Sequence, residues 1–144
     1  MYLYVIGAFD YNDELLALKI GVSGDVRERI AALQTGQFCE MKLIVGWESE
    51  SRAKCFSVER ALHDRYRAKH MRGEWFRPAV ARDVVSAGIE LMGSLPCEVP
   101  GVSSHLGEVR DGFERKRERR LRRKEARKRR RGATLSRAMA SAEN

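Results

Sequence analysis

Cysteine is scarce here and unpatterned. Cys39, Cys55 and Cys97 stand far apart, with no CxxC pair and no Cys/His spacing suited to zinc. An odd, scattered set argues against a disulfide framework and fits a reducing cytosol, so no disulfide-linked partner is expected. No apolar run approaches the roughly 18 residues needed to span a bilayer, and no basic–apolar–small leader pattern is present. A soluble, cytoplasmic protein without a membrane partner is expected. Internal repeats are absent. Residues 1–92 also lack net charge, with 13 Lys and Arg against 13 Asp and Glu. Residues 93–144 carry 15 Lys and Arg against 7 Asp and Glu, which is the whole excess of +8. A polyanion partner is therefore expected of the tail, not of the balanced first part.

What is present reads as an α+β domain. Tyr2 to Ile6 is aromatic and β-branched, hence a strand. Leu18, Ile20 and Val22 alternate with Ala17, Lys19 and Gly21, marking a second strand with one apolar face. A polar, turn-rich loop at Asp10 to Glu14 makes the two a hairpin. Ser23 and Asp25 are N-cap candidates, and Asp25 with Glu28 has capping-box spacing. Val26, Ile30 and Leu33 then share one helix face, and Gly36 is a C-terminal stop. Met41 to Trp47 is a third strand. A helix capped by Ser49 or Ser51 is expected to run to about Ala68. A shorter one over 79–92 turns Val80, Val84 and Ile89 or Leu91 inward. The order is β-β-α-β-α-α, a small three-stranded antiparallel sheet flanked by helices. Residues 93–107, rich in Gly and Ser and holding Pro96 and Pro100, read as a linker. Residues 108–144 form a basic tail, helix-prone over 108–131, with the final dozen expected to be disordered. Apolar residues there are too few for a coiled-coil seam.

Some side chains attract attention from geometry alone. On the second long helix Cys55, Val58, Leu62 and Tyr66 make an apolar stripe. Glu59 lies about 40° from Cys55, within it. A carboxylate there needs a partner or a metal, since burying it alone is costly. A salt bridge to Arg60 or Arg29 is the simpler alternative. His63 follows one turn later on the same side. Arg27 and Arg29 project to different faces, about 200° apart. Tyr4 by itself reads as a half-buried strand tyrosine, and Lys19 as a solvated strand lysine.

Taken in order, YLYVI (Tyr2 to Ile6), KIGVSGDVRERIAAL (Lys19 to Leu33), ERALH (Glu59 to His63) and RGEWF (Arg72 to Phe76) resemble a GIY-YIG nuclease domain. The likeness covers roughly residues 1–92. It is nearest to the small phage and bacterial branch that reads KIG in place of YIG. The resemblance implies an endonuclease hydrolysing phosphodiester bonds with one divalent ion, Mg²⁺ or Mn²⁺. Tyr4 falls at the first-motif tyrosine, whose phenol contacts the attacking water and takes its proton. With an ordinary pKa near ~10, such a phenol needs a nearby cation to work at neutral pH. Arg29 matches the arginine that binds phosphoryl oxygens, and Glu59 the single metal-holding glutamate. Lys19 stands where most of the family has a second tyrosine; it would lower the Tyr4 pKa or hold the phosphate. His63 would support the metal ligand, contact a phosphate, protonate the leaving group or simply pack. Trp75 and Phe76 read as core, and Glu74 as a local hydrogen-bond partner or a group that holds a catalytic side chain in place.

The tail's cations are Arg115, Lys116, Arg117, Arg119, Arg120, Arg122, Arg123, Lys124, Arg127, Lys128, Arg129, Arg130 and Arg131. Without interleaved aromatics apart from Phe113, they fit phosphate contact rather than base stacking. DNA is the expected partner. A catalytically weak or inactive nucleic-acid-binding relative is the first alternative, because of Lys19. A nucleic-acid-packaging or ribonucleoprotein component worked by its tail is the second.

Overall fold

The structure is a computed structural model that describes residues 1–143. Its first unit, Met1–Arg110, is built on one antiparallel sheet. The long strands are β1 (Tyr2–Phe9), β2 (Leu15–Ser23) and β3 (Glu40–Glu48). Helix α1 (Val26–Gln34) joins β2 to β3, and α2 (Arg52–Arg65) follows β3. Two short strands, β4 (His70–Arg72) and β5 (Trp75–Phe76), precede α3 (Ala81–Met92). The sheet order is β3-β1-β2-β5-β4. The expected three strands are therefore five, a correction with a plain cause: segments of two and three residues are too short to show alternation.

Both faces of the sheet are covered, which explains why β1 is buried almost end to end. Tyr4, Ile6 and Ala8 point to one face, where Val26, Ile30 and Leu33 of α1 pack with Met41, Leu43 and Val99. Helices α2 and α3 pack on each other, with α2 against β1 and β2. Their inward residues are Cys55, Val58 and Leu62 of α2, and Val84, Val85 and Gly88 of α3. Gly88 is required there, because a Cβ would lie 2.5 Å from the Trp47 ring. Ser51 caps α2 by accepting from Lys54 N at 3.1 Å.

Of residues 93–107, read from composition as a linker, 94–105 lie along the outer edge of β3, and Leu106 and Gly107 already belong to the last helix. Cys97 N donates to Gly46 O at 2.8 Å, Ser104 Oγ to Ile44 O at 2.6 Å and His105 N to Leu43 O at 2.9 Å. Val99 is buried in the α1-side core. The strap supplies partners to a strand edge that would otherwise be open. Helix α4 (Leu106–Ala142) follows, and the second unit begins at Asp111. The helix includes residues 133–142, which were expected to be disordered; beyond the basic run, Ala133, Leu135, Arg137, Ala138, Met139, Ala140 and Ala142 are themselves strong helix formers. Of that final dozen, Asn144 lies outside the described residues. Among the described residues no helix is long and apolar enough to cross a membrane, and the three cysteines are free.

Candidate active site

The site begins with the exit from β2. Asp25 caps α1, its carboxylate accepting from Glu28 N at 2.9 Å, while Ser23 Oγ accepts from Asp25 N at 3.1 Å. The helix start is thus fixed directly after the strand, and Arg29 lies one turn in. Its Nε donates to the Tyr4 phenol oxygen at 3.2 Å.

Tyr4, which by itself reads as a half-buried strand tyrosine, is fully buried, only 1% exposed. It reaches that position because β2 has a glycine opposite it. Register pairs Tyr4 with Gly21, and the phenol lies across that backbone. A Cβ on Gly21 would stand 2.3 Å from the phenol oxygen. The glycine of KIG is therefore a requirement of close packing. Burial pushes the phenol above its ordinary value; the hydrogen bond and charge of Arg29 oppose this, and the charges of Glu74 and Glu59 add to it.

Lys19 pairs with Ile6, so its side chain shares the Tyr4 face. It is buried, only 4% exposed, which corrects the reading of a solvated strand lysine. Its ammonium is paired with the Glu74 carboxylate and lies 6.0 Å from the centre of the Trp75 ring. The Lys19 hydrogen bond holds the Glu74 carboxyl below its usual range. Glu74, expected from sequence only as a local hydrogen-bond partner or as a holder of a catalytic side chain, pairs with Lys19 and so belongs to the site. The available signal was an acid in the RGEWF segment, and a KIG lysine that needs a counter-charge once both sheet faces are covered.

Glu59 lies on the inward side of α2, and burial raises its carboxyl above the usual value. His63, Lys19 and Arg60 pull it down, while Glu74 pushes it up. Among the described residues no hydrogen bond or ion pair engages this carboxylate, so neither Arg60 nor Arg29 bridges to it. His63 donates its Nε2–H to Ile20 O at 3.0 Å and meets the Phe76 ring edge-on at 5.0 Å. It therefore docks α2 onto β2, whose outer edge β5 pairs only at Leu18 and Lys19.

Tyr4, Lys19, Arg29, Glu59 and His63 thus come together with Glu74 around the partly open edge of β2. Glu59 and Glu74 both act on the Tyr4 phenol, and Lys19 and His63 both act on Glu59. Among the described residues there is no cluster of three or more His, Cys, Asp or Glu able to cage a metal. A lone carboxylate with no other partner fits a different arrangement, a hard cation that keeps most of its water. The tail cations from Arg115 to Arg131 are on α4, all exposed, within the second unit.

Comparison with known proteins finds no match among curated proteins and none among solved structures. The T5orf172 domain does match, over residues 1–93, from β1 to the end of α3. That span holds every strand of the sheet and all six residues at its open edge, and the chain belongs to the T5orf172 domain family.

Proposed function

We infer that the protein is a metal-dependent endonuclease of the GIY-YIG type, hydrolysing phosphodiester bonds in DNA, with α4 supplying sequence-independent affinity. The observation that carries this reading is the meeting of a phenol, a guanidinium, an ammonium and an unpartnered carboxylate at one strand edge. A phosphodiester needs cationic donors for its oxygens and a group beside the attacking water. The T5orf172 family is a phage-associated domain of endonuclease type, which points the same way.

In this reading Arg29 keeps its Nε on Tyr4 and offers its remaining N–H groups to the phosphoryl oxygens. Lys19 lies on the same face with its charge matched by Glu74, and would bear on the phosphate only as part of that pair. Tyr4 is buried, so only its phenol oxygen, beside the Arg29 guanidinium, would meet the attacking water. Burial keeps the reactive phenolate a minor form at neutral pH, and its share grows as pH rises. Glu59 would hold one Mg²⁺ or Mn²⁺, which supplies Lewis-acid stabilisation of the phosphate and the leaving oxygen. His63 has committed its Nε2–H to Ile20, so it positions α2 and does not donate a proton from that nitrogen.

One observation favours a second reading, a weak or inactive nucleic-acid-binding relative: Lys19 is committed to Glu74, and the Tyr4 phenol is pushed up instead of down. Plasmid nicking separates the two. Nicking that needs Mg²⁺ or Mn²⁺ and stops with a chelator supports the nuclease. Binding without nicking in either metal, with protein in excess, supports the second.

A further inference from the structure

The reading that the tail anchors nucleic acid leaves the form of that nucleic acid open. Resting on that reading, we propose that α4 lies lengthwise in the major groove of duplex DNA, its basic arc against both phosphate walls and its acidic stripe facing solvent.

Past Arg110 the helix carries four carboxylates, Asp111, Glu114, Glu118 and Glu125. At about 100° per residue all four fall inside one arc of about 60°. Of the 13 cations between Arg115 and Arg131, Arg129 alone lies in that stripe. The others spread over about 240° of the circumference. Residues 114–143 are all exposed, so no apolar face decides this orientation. The helix is sorted by sign of charge and not by hydropathy.

The width of the basic arc selects the partner. A shapeless electrostatic tether needs no sorting of charge. A helix resting on one phosphate ridge needs only a narrow basic stripe. A groove touches a cylinder on its floor and on two walls, and leaves roughly a third of it to solvent. The B-form major groove is about 12 Å wide, and a helix with side chains is about 10–12 Å across. Residues 115–131 cover about 25 Å of helix axis, enough to meet several phosphates on each wall. A-form RNA has a major groove too narrow to admit a helix. Single strands are held largely by stacking on aromatics, and Phe113 is the only aromatic of α4.

The test uses the full chain and a labelled DNA duplex, with the same sequence as single strand and as RNA duplex, across a range of salt. Arg120→Gln/Arg127→Gln removes two charges from the middle of the basic arc. Glu118→Gln/Glu125→Gln changes net charge by the same amount in the stripe. Circular dichroism checks that both keep the helix. Each lost phosphate contact should weaken duplex binding about fivefold at 0.15 M salt and flatten the log K–log salt slope by about 0.9. The arc pair should therefore lose roughly 25-fold, while the stripe pair stays within about twofold of wild type with its slope unchanged. Groove binding is overturned if the stripe pair tightens binding as much as the arc pair weakens it. It is equally overturned if single strands or RNA duplexes bind as tightly as DNA duplex. Removal of residues 111–144 with no change in affinity or salt slope would overturn the anchoring role of the tail itself, and the groove with it.

Discussion

Lys19 and Glu74 form an ion pair across the sheet, a lysine side chain 5% exposed held by a carboxylate 54% exposed. The pair ties β2 to the hairpin of β4 and β5, next to the phenol and the guanidinium. Glu74→Ala leaves a buried ammonium without its partner. It should cost on the order of 1–2 kcal/mol, less than the roughly 3–5 of a fully buried pair because Glu74 is half in water. The Glu74 carboxyl is held below its usual range, so its stabilisation is complete above the unfolded carboxylate value and fades as pH falls through the lowered one. Thermal melts should show wild type losing stability on acidification, with Glu74→Gln losing less over the same window. Parallel pH profiles for the two proteins would contradict this.

Glu59 has the opposite sign. Burial raises its carboxyl, so the stability it contributes exists below the unfolded value and is lost as pH rises through the raised one. At neutral pH the charged side chain is a cost to the fold. Glu59→Gln should therefore melt higher than wild type in the presence of a chelator. Adding Mg²⁺ or Mn²⁺ should raise the wild-type melting temperature and leave that of Glu59→Gln unmoved. Equal response of both proteins to the metal would remove Glu59 from metal binding.

Tyr4 and Gly21 divide packing from chemistry. Gly21→Ala places a methyl where the phenol lies and should destabilise by about 1–3 kcal/mol, with the ring displaced. Tyr4→Phe keeps the ring and its packing. It should melt near wild type yet lose on the order of 10²–10⁴ in cleavage rate if the phenol is the base. Wild-type cleavage should quicken with rising pH, since burial holds the phenol up. A Tyr4→Phe protein with full activity would assign the tyrosine to packing alone.

Much of this arrangement was legible in the sequence wherever a pattern had room to repeat. Aromatic and β-branched composition gave β1, alternation gave β2 and an apolar run gave β3. Helical spacing gave Val26 of α1, Cys55, Val58 and Leu62 of α2 and Val84 of α3, but in α3 Ile89 and Leu91 are half-buried while Val85, Gly88 and Met92 face the core. Because capping is local, the caps were readable as pairs of candidates, Ser23 or Asp25 and Ser49 or Ser51, of which Asp25 and Ser51 accept the helix N–H groups. Strands β4 and β5 were not, being three and two residues long. Nor was the burial of Lys19, which depends on a partner 55 residues away. Composition pointed the wrong way for residues 94–105: Pro, Gly and Ser describe flexible chain equally well as a strap hydrogen-bonded to a strand edge.

The strap has a direct consequence. A chain ending at Gly93 keeps every element through α3 but loses Val99 and the donors to β3. It should be less stable than a chain ending at Arg110 by at least the roughly 1.5–3 kcal/mol of one buried aliphatic side chain. Its bare strand edge should also make it more prone to aggregate. Equal melting temperatures for the two truncations would show that the strap is dispensable.

The most direct measurement is a cleavage panel on labelled duplex, single-stranded and branched DNA, with Mg²⁺ or Mn²⁺, comparing wild type with Glu59→Ala. Expected is metal-dependent cleavage of at least one substrate by wild type, abolished in Glu59→Ala while that protein stays folded and still binds DNA. Full activity in purified Glu59→Ala, or no cleavage by wild type of any substrate in either metal, would contradict a nuclease centred on Glu59.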